Sequence, residues 1–241
     1  MSYRNTKRIR LLAAGALAMS IFLVGGADNV SAQQSDTKLW AGFTGRVELL
    51  EPLRLDINHQ QRLSSELGKE KSLTEFELRL RALEILRLSA AYRTIATNDD
   101  GFWHRAMLNL GAAYGVGQIG LAYRLRLQST VRSNETVSAI RNKISADYDL
   151  DGPLTPSAAF ELHYQSTDSE FREVRFQAGV EYKMSKKIRL GAFYMFQSEF
   201  NKRVGESNHV LRLGITYVFR RVKKSKNSVR EEADIGDTVA D

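Results

Sequence analysis

From Lys38 to Phe219 the sequence alternates between apolar and polar residues with a period of two. Along Ile119–Arg132, one face collects Ile119, Leu121, Tyr123, Leu125, Leu127 and Val131. The other collects Gly120, Ala122, Arg124, Arg126, Gln128, Thr130 and Arg132. Val174–Met184 repeats the division, with Val174, Phe176, Ala178, Val180, Tyr182 and Met184 against Arg175, Gln177, Gly179, Glu181 and Lys183. A helix turns 100° per residue and would scramble both sets, so each segment is predicted to be a strand.

Eleven such segments follow one another, near 38–49, 53–63, 73–82, 85–96, 103–114, 118–132, 137–148, 155–165, 172–184, 187–198 and 208–219. Each is close to the 9–11 residues that a tilted strand needs to cross a bilayer. The connections alternate in character. Leu50-Glu51-Pro52, Leu83-Glu84, Gly115-Val116-Gly117 and Ser185-Lys186 read as tight turns. Ser64–Ser72, Thr97–Phe102, Ser133–Thr136, Ser166–Phe171 and Glu199–Ser207 read as longer polar loops. Tight turns on one side and longer loops on the other are the pattern of an all-β, up-and-down antiparallel transmembrane β-barrel, with the tight turns toward the periplasm. Bacterial single-chain barrels have even strand numbers, so ten to twelve strands are expected, with twelve preferred over the eleven counted.

Composition narrows the compartment. The chain has 241 residues, 43% hydrophobic, a formal charge of +7 and no cysteine. That excludes a disulfide scaffold, a thiolate zinc site and a cysteine nucleophile. Residues 1–10 hold Arg4, Lys7, Arg8 and Arg10 without an acid, 11–26 are apolar, and Val30-Ser31-Ala32 offers small residues for cleavage. Residues 1–32 therefore read as a signal peptide. Residues 33–219 read as an outer-membrane barrel. Residues 220–241, first basic and then acidic, read as a charged flexible periplasmic tail.

Alternation alone does not distinguish a soluble barrel, which hides its apolar face, from a membrane barrel, which shows it to lipid. The apolar face carries almost no charge. Its aromatics also gather at strand ends, as an interface belt requires: Tyr114, Tyr148, Tyr182, Tyr217 and Phe219 toward the turns, Phe76, Tyr92, Tyr164 and Phe196 toward the loops. The polar face is too rich in cations for a dry core. Arg87, Arg93, Arg105, Arg124, Arg126, Arg141, Arg175 and Arg212 are expected to line the lumen, balanced in part by Glu161 and Glu181. An arginine excess there favours small anionic solutes. The competing reading is structural: arginine and glutamate on neighbouring strands form a ladder that fills the lumen and locks the barrel.

Arg212-x-Gly214-x-x-Tyr217-x-Phe219 looks like the C-terminal assembly signal of outer-membrane proteins, which implies the barrel-assembly machinery as a partner. Trp40, Tyr92-Arg93, His104-Arg105, Tyr123-Arg124-x-Arg126, Glu161-Leu162, Glu181-Tyr182 and His209 carry a wider resemblance over nearly all of residues 33–219. Their order is similar to that of the family catalogued as domain of unknown function 2490, outer-membrane barrels without an assigned activity. The resemblance implies a barrel and contributes no catalytic residue.

Other chemistry is weakly marked. Asp147-x-Asp149-x-Asp151-Gly152 looks like the opening of a calcium loop, but Ala158 stands where a bidentate glutamate belongs, so an ordinary hairpin connection is favoured and no metal is expected. His59, His104, His163 and His209 fall toward the loop-side rim on different strands, with phases pointing both in and out. Glu161, His163 and Ser157 share one strand face, the basis of a third reading as a lipid-modifying hydrolase. No nucleophile elbow, zinc helix or phosphate loop accompanies them. The arginines are spread over an inner wall, which argues against nucleic acid. No cofactor is expected. The partners expected are outer-membrane lipid and lipopolysaccharide, with an unidentified small solute. The reading is of a small, arginine-lined outer-membrane channel, with a plugged structural or scaffold barrel as the alternative.

Overall fold

Along Ile119–Val131 the apolar side chains are exposed and the polar ones buried, the reverse of a soluble protein: Leu121, Tyr123 and Leu127 face out, while Arg126, Gln128 and Thr130 are covered. This computed structural model describes residues 34–65, 68–98, 101–132, 135–200 and 206–220. The strands are β1 (Gln34–Leu50), β2 (Leu53–Ser64), β3 (Gly68–Arg81), β4 (Leu86–Thr97), β5 (Phe102–Val116), β6 (Ile119–Val131), β7 (Thr136–Tyr148), β8 (Leu154–Gln165), β9 (Glu170–Lys183), β10 (Ile188–Glu199) and β11 (Glu206–Arg220). The expected signal peptide and the tail beyond Arg220 lie outside the described residues.

Each strand pairs antiparallel with its sequence neighbour, and β1 closes the barrel against β11. The expected preference for twelve strands is corrected here: eleven are described. The odd count is accommodated because β1 and β11 run in the same direction and pair in parallel, from Gln34 opposite Glu206 to Arg46 opposite Val218. On the outer face of this seam the Phe219 ring lies against Gly45, where an added Cβ would stand 2.8 Å from Phe219 Cε2. Tyr217 meets Phe219 edge to face at 4.8 Å. Phe219 and Tyr217 thus cover the line along which the sheet closes.

Five connections gather at one end, the turn end: 51–52, 82–85, 117–118, 149–153 and 184–187. Gly117 there adopts the positive φ of 61° that a two-residue hairpin requires. The other five, at the loop end, are 65–67, 98–101, 132–135, 166–169 and 200–205. The difference in length is smaller than the sequence predicts, because strands run into segments that read as loops. Much of Ser64–Ser72 belongs to β3, whose Gly68, Lys69 and Lys71 pair with Ser64, Leu63 and Arg62. Backbone pairing continues there without the apolar alternation, since a strand beyond the lipid band needs no apolar face.

The exterior carries Phe43, Leu78, Leu88, Leu108, Leu127, Phe176, Leu190 and Leu213 as exposed side chains drawn from eight strands. With strands of 12–17 residues, this is the surface of a transmembrane barrel.

Candidate functional site

Because side chains alternate across a strand, every second residue of every strand enters the interior, and the sequence makes most of these polar. Packing divides the interior by height. Toward the loop end it is apolar: Trp40, Met195 and Val210 form one buried cluster and Leu73, Ile95 and Trp103 another. Arginines cap both. Arg62 stacks 3.6 Å from the centre of the Trp40 ring, and Arg132 lies 4.3 Å from that of Trp103. These apolar residues occupy the phase that the sequence assigns to polar side chains, and Met107 joins them. Their signal was available: each is a large apolar residue out of step with its strand.

Below these clusters the interior is a network of guanidinium and carboxylate groups. Glu161 on β8 accepts hydrogen bonds from Arg124 on β6, at 2.9 Å, and from Arg141 on β7, while Arg175 on β9 lies 3.7 Å away. Asp56 on β2 likewise draws Arg46, Arg54 and Arg79, at 3.2, 3.3 and 3.3 Å. Arg79 and Arg175 each reach a second carboxylate, Glu77 and Glu173. Asn109 links the halves: it donates to Glu77 at 3.1 Å over the intervening β4 and accepts from Arg126 at 2.7 Å. Asn109 was not singled out in the sequence, where a lone amide gives no signal.

The remaining expected residues take their places around this network. Arg93 pairs with Glu75 at 2.5 Å. Arg105 donates to Thr130 at 2.8 Å. Arg212 donates to Gln177 at 2.7 Å, reaching over β10, and lies 5.4 Å from the Trp40 ring. Arg87, half-buried, stands opposite Arg81 near the turn end. Glu181 accepts from Arg189 at 3.2 Å, also near the turn end. Of the expected assembly-signal residues, Gly214 lies in a glycine row, opposite Gly42 on one side and Gly191 on the other. Beside that row the Phe193 ring lies over Gly191 and Gly179, where any Cβ would collide with it.

Exposure decides how open this layer is. Arg93, Arg126, Arg141 and Arg212 are 1%, 2%, 3% and 0% exposed, so no wide water column reaches them. A cavity of about 10 Å³ beside Lys143, Ala159, Glu161, Arg175, Gln177 and Met195 has room for about one water molecule.

The histidines do not converge. His59 bonds Thr74 and Gln61, His104 bonds the Tyr92 hydroxyl at 2.7 Å, and His209 bonds the Tyr194 hydroxyl at 2.6 Å, all at exposed positions. His163 lies 4.0 Å from Glu173 and is not bonded to Glu161, whose oxygens serve arginines. Ser157 stands opposite Asp147 on one side and Gly179 on the other. In the 149–153 turn, Asp149 accepts the Asp151 amide and Asp151 accepts the Gln118 side chain, so both carboxylates serve the turn. Among the described residues, no group of three or more histidine or acidic side chains is placed to hold a metal.

Comparison with solved structures returns outer-membrane barrels. The NanC porin aligns with a TM-score of 0.51 at 10% identity, over 75% of this chain and 98% of that one. The loop L8 deletion mutant of OmpT, an outer-membrane protein of Vibrio cholerae, aligns with a TM-score of 0.39 at 12% identity, over 66% of this chain and 57% of that one. At 10% identity the likeness to the NanC porin is one of fold. No curated protein matched the sequence. Residues 37–208 match the family described as Protein of unknown function (DUF2490), and the chain, matched over more than half its length, belongs to that family.

Proposed function

We propose that the protein is a narrow channel of the outer membrane whose arginine-rich interior favours small anionic solutes, with its tight turns toward the periplasm. The observation that carries this reading is the sharing of single carboxylates among several arginines: three meet at Asp56 and three at Glu161. Two further arginines, Arg105 and Arg126, are hydrogen-bonded to the neutral Thr130 and Asn109, and this crowding of guanidinium groups sets up a positive potential in a low-dielectric space, which lowers the barrier for an anion and raises it for a cation. Arg87, Arg93, Arg105, Arg124, Arg126, Arg141, Arg175 and Arg212, with Glu161 and Glu181, line that path. The exterior meets outer-membrane lipid and lipopolysaccharide, and the barrel-assembly machinery reads Arg212, Gly214, Tyr217 and Phe219.

A second reading has its own observation. Five arginines at 3% exposure or less, Arg46 with the four above, leave little room for hydrated solute, which favours a closed structural barrel. Refolded protein inserted into a planar bilayer under a salt gradient separates the two. A small conductance with a reversal potential displaced toward the anion's equilibrium potential supports the channel. Silence from protein shown to be folded supports the closed barrel.

A further inference from the structure

Like charges directly opposite one another weaken a strand pair, and sheets rarely tolerate them without a compensating partner. The interior places Arg93 of β4 directly opposite Arg105 of β5, and Arg126 of β6 directly opposite Arg141 of β7. Four consecutive strands therefore each contribute a guanidinium group. The groups act on one another: the charges of Arg93, Arg141, Arg126 and Arg175 all bear on Arg105, and those of Arg124, Arg141 and Arg93 bear on Arg126, offset in part by the more distant carboxylate of Glu75, which is Arg93's partner.

Carboxylates compensate only part of this charge. Arg93 has Glu75, and Arg141 has Glu161. Arg105 is hydrogen-bonded to the neutral Thr130 and Arg126 to the neutral Asn109. Among the described residues neither has a carboxylate at ion-pair distance. Nη1 of Arg126 is fully buried with no hydrogen-bond partner, and so is Nη1 of Arg93. A buried guanidinium with an unsatisfied donor is strongly destabilising. Two of them beside a third arginine without an acid call for a shared acceptor of negative charge.

We propose that Arg93, Arg105 and Arg126 form a binding site for a small, freely diffusing oxyanion of the phosphate type inside the barrel. Planar guanidinium forks present paired N–H donors that match the oxygens of such an anion, whereas a halide offers a single point of charge. Arg141 and Arg175, already held by Glu161 and Glu173, add field without leaving their partners. The interior position excludes a lipid headgroup. The proposal rests on the interior being anion-attracting, as read above, but it does not require conduction.

The test is a calorimetric titration of the full chain, refolded in detergent, with inorganic phosphate at an ionic strength held constant with chloride. Saturable binding at about one site per barrel is expected. Arg126→Gln and Arg105→Gln should each weaken it at least ten-fold, while Arg189→Gln, on the arginine paired with Glu181 near the turn end, leaves it unchanged. In the absence of phosphate, Arg126→Gln should not lower the thermal unfolding midpoint, because it relieves repulsion; this separates lost binding from lost folding. No saturable binding, or equal binding by wild type and both variants, overturns the site. Phosphate binding by a barrel that is silent in the bilayer keeps the site and overturns the channel. Anion-selective conductance indifferent to phosphate and to Arg126→Gln keeps the channel and overturns the site.

Discussion

Arg124 on β6 donates a hydrogen bond of 2.9 Å to Glu161 on β8, passing over β7, which lies between them. Glu161 also serves Arg141 and Arg175, so one carboxylate holds three guanidinium groups in place. Glu161→Gln should destabilise the barrel by about 3–5 kcal/mol, the usual cost of leaving a buried charge without its partner. Urea unfolding in detergent measures this. Adding Arg124→Gln should recover part of the loss, and a double-mutant cycle would then give a coupling well above zero.

On the exterior an arginine has no carboxylate to meet and faces lipid instead. Leu108, 61% exposed and opposite Leu127, lies near the middle of β5 on the outer face. Leu108→Arg should cost about 2–4 kcal/mol in lipid vesicles, as a cation near the bilayer midplane does. Leu108→Phe should cost little. Reversible unfolding in vesicles distinguishes them, and an arginine tolerated at this position would place the face outside lipid.

The seam can be tested through Gly45. An added Cβ would lie 2.8 Å from the Phe219 ring, so Gly45→Ala should cost about 1–3 kcal/mol through overpacking. Phe219→Leu should relieve part of that cost when combined with it, although alone it removes aromatic cover from the seam. Non-additivity in thermal unfolding checks the contact.

A chain without cysteine is a clean background for cross-linking. Leu39 and Leu211 are partners across the parallel seam. Leu39→Cys with Leu211→Cys should cross-link under mild oxidation and change electrophoretic mobility. Leu39→Cys with Leu213→Cys, displaced by two residues or about 6.6 Å along the strand, should not. Equal cross-linking of both pairs would mean that the register or the direction of β1 is different.

Strand existence was the most legible property. The segments near 118–132 and 187–198 correspond to Ile119–Val131 and Ile188–Glu199. Alternation reports the pleat directly wherever one face meets lipid. It was less informative at the loop end, where Lys69 and Lys71 pair without an apolar face and two bulges, at Arg62/Leu63 and His163/Tyr164, shift the phase. Parity was misjudged because a general rule outweighed the count: no local residue pattern marks β1 as parallel to β11. Within the site, the phase of each arginine was legible, but its partner was not. Nothing in the sequence joins Arg212 to Gln177 or Asn109 to Glu77, since both contacts depend on barrel curvature bringing alternate strands within reach of long side chains.

The parallel seam has a topological consequence. β1 starts at the loop end and β11 finishes at the turn end, so the barrel's first and last residues stand on opposite rims. In an even-stranded barrel a short peptide can join the two and the chain can be reopened elsewhere. Here a circular permutant would need a linker as long as the wall is high, threaded through the lumen or laid along the outside. Epitopes placed at the two strand ends would accordingly report opposite sides of one membrane.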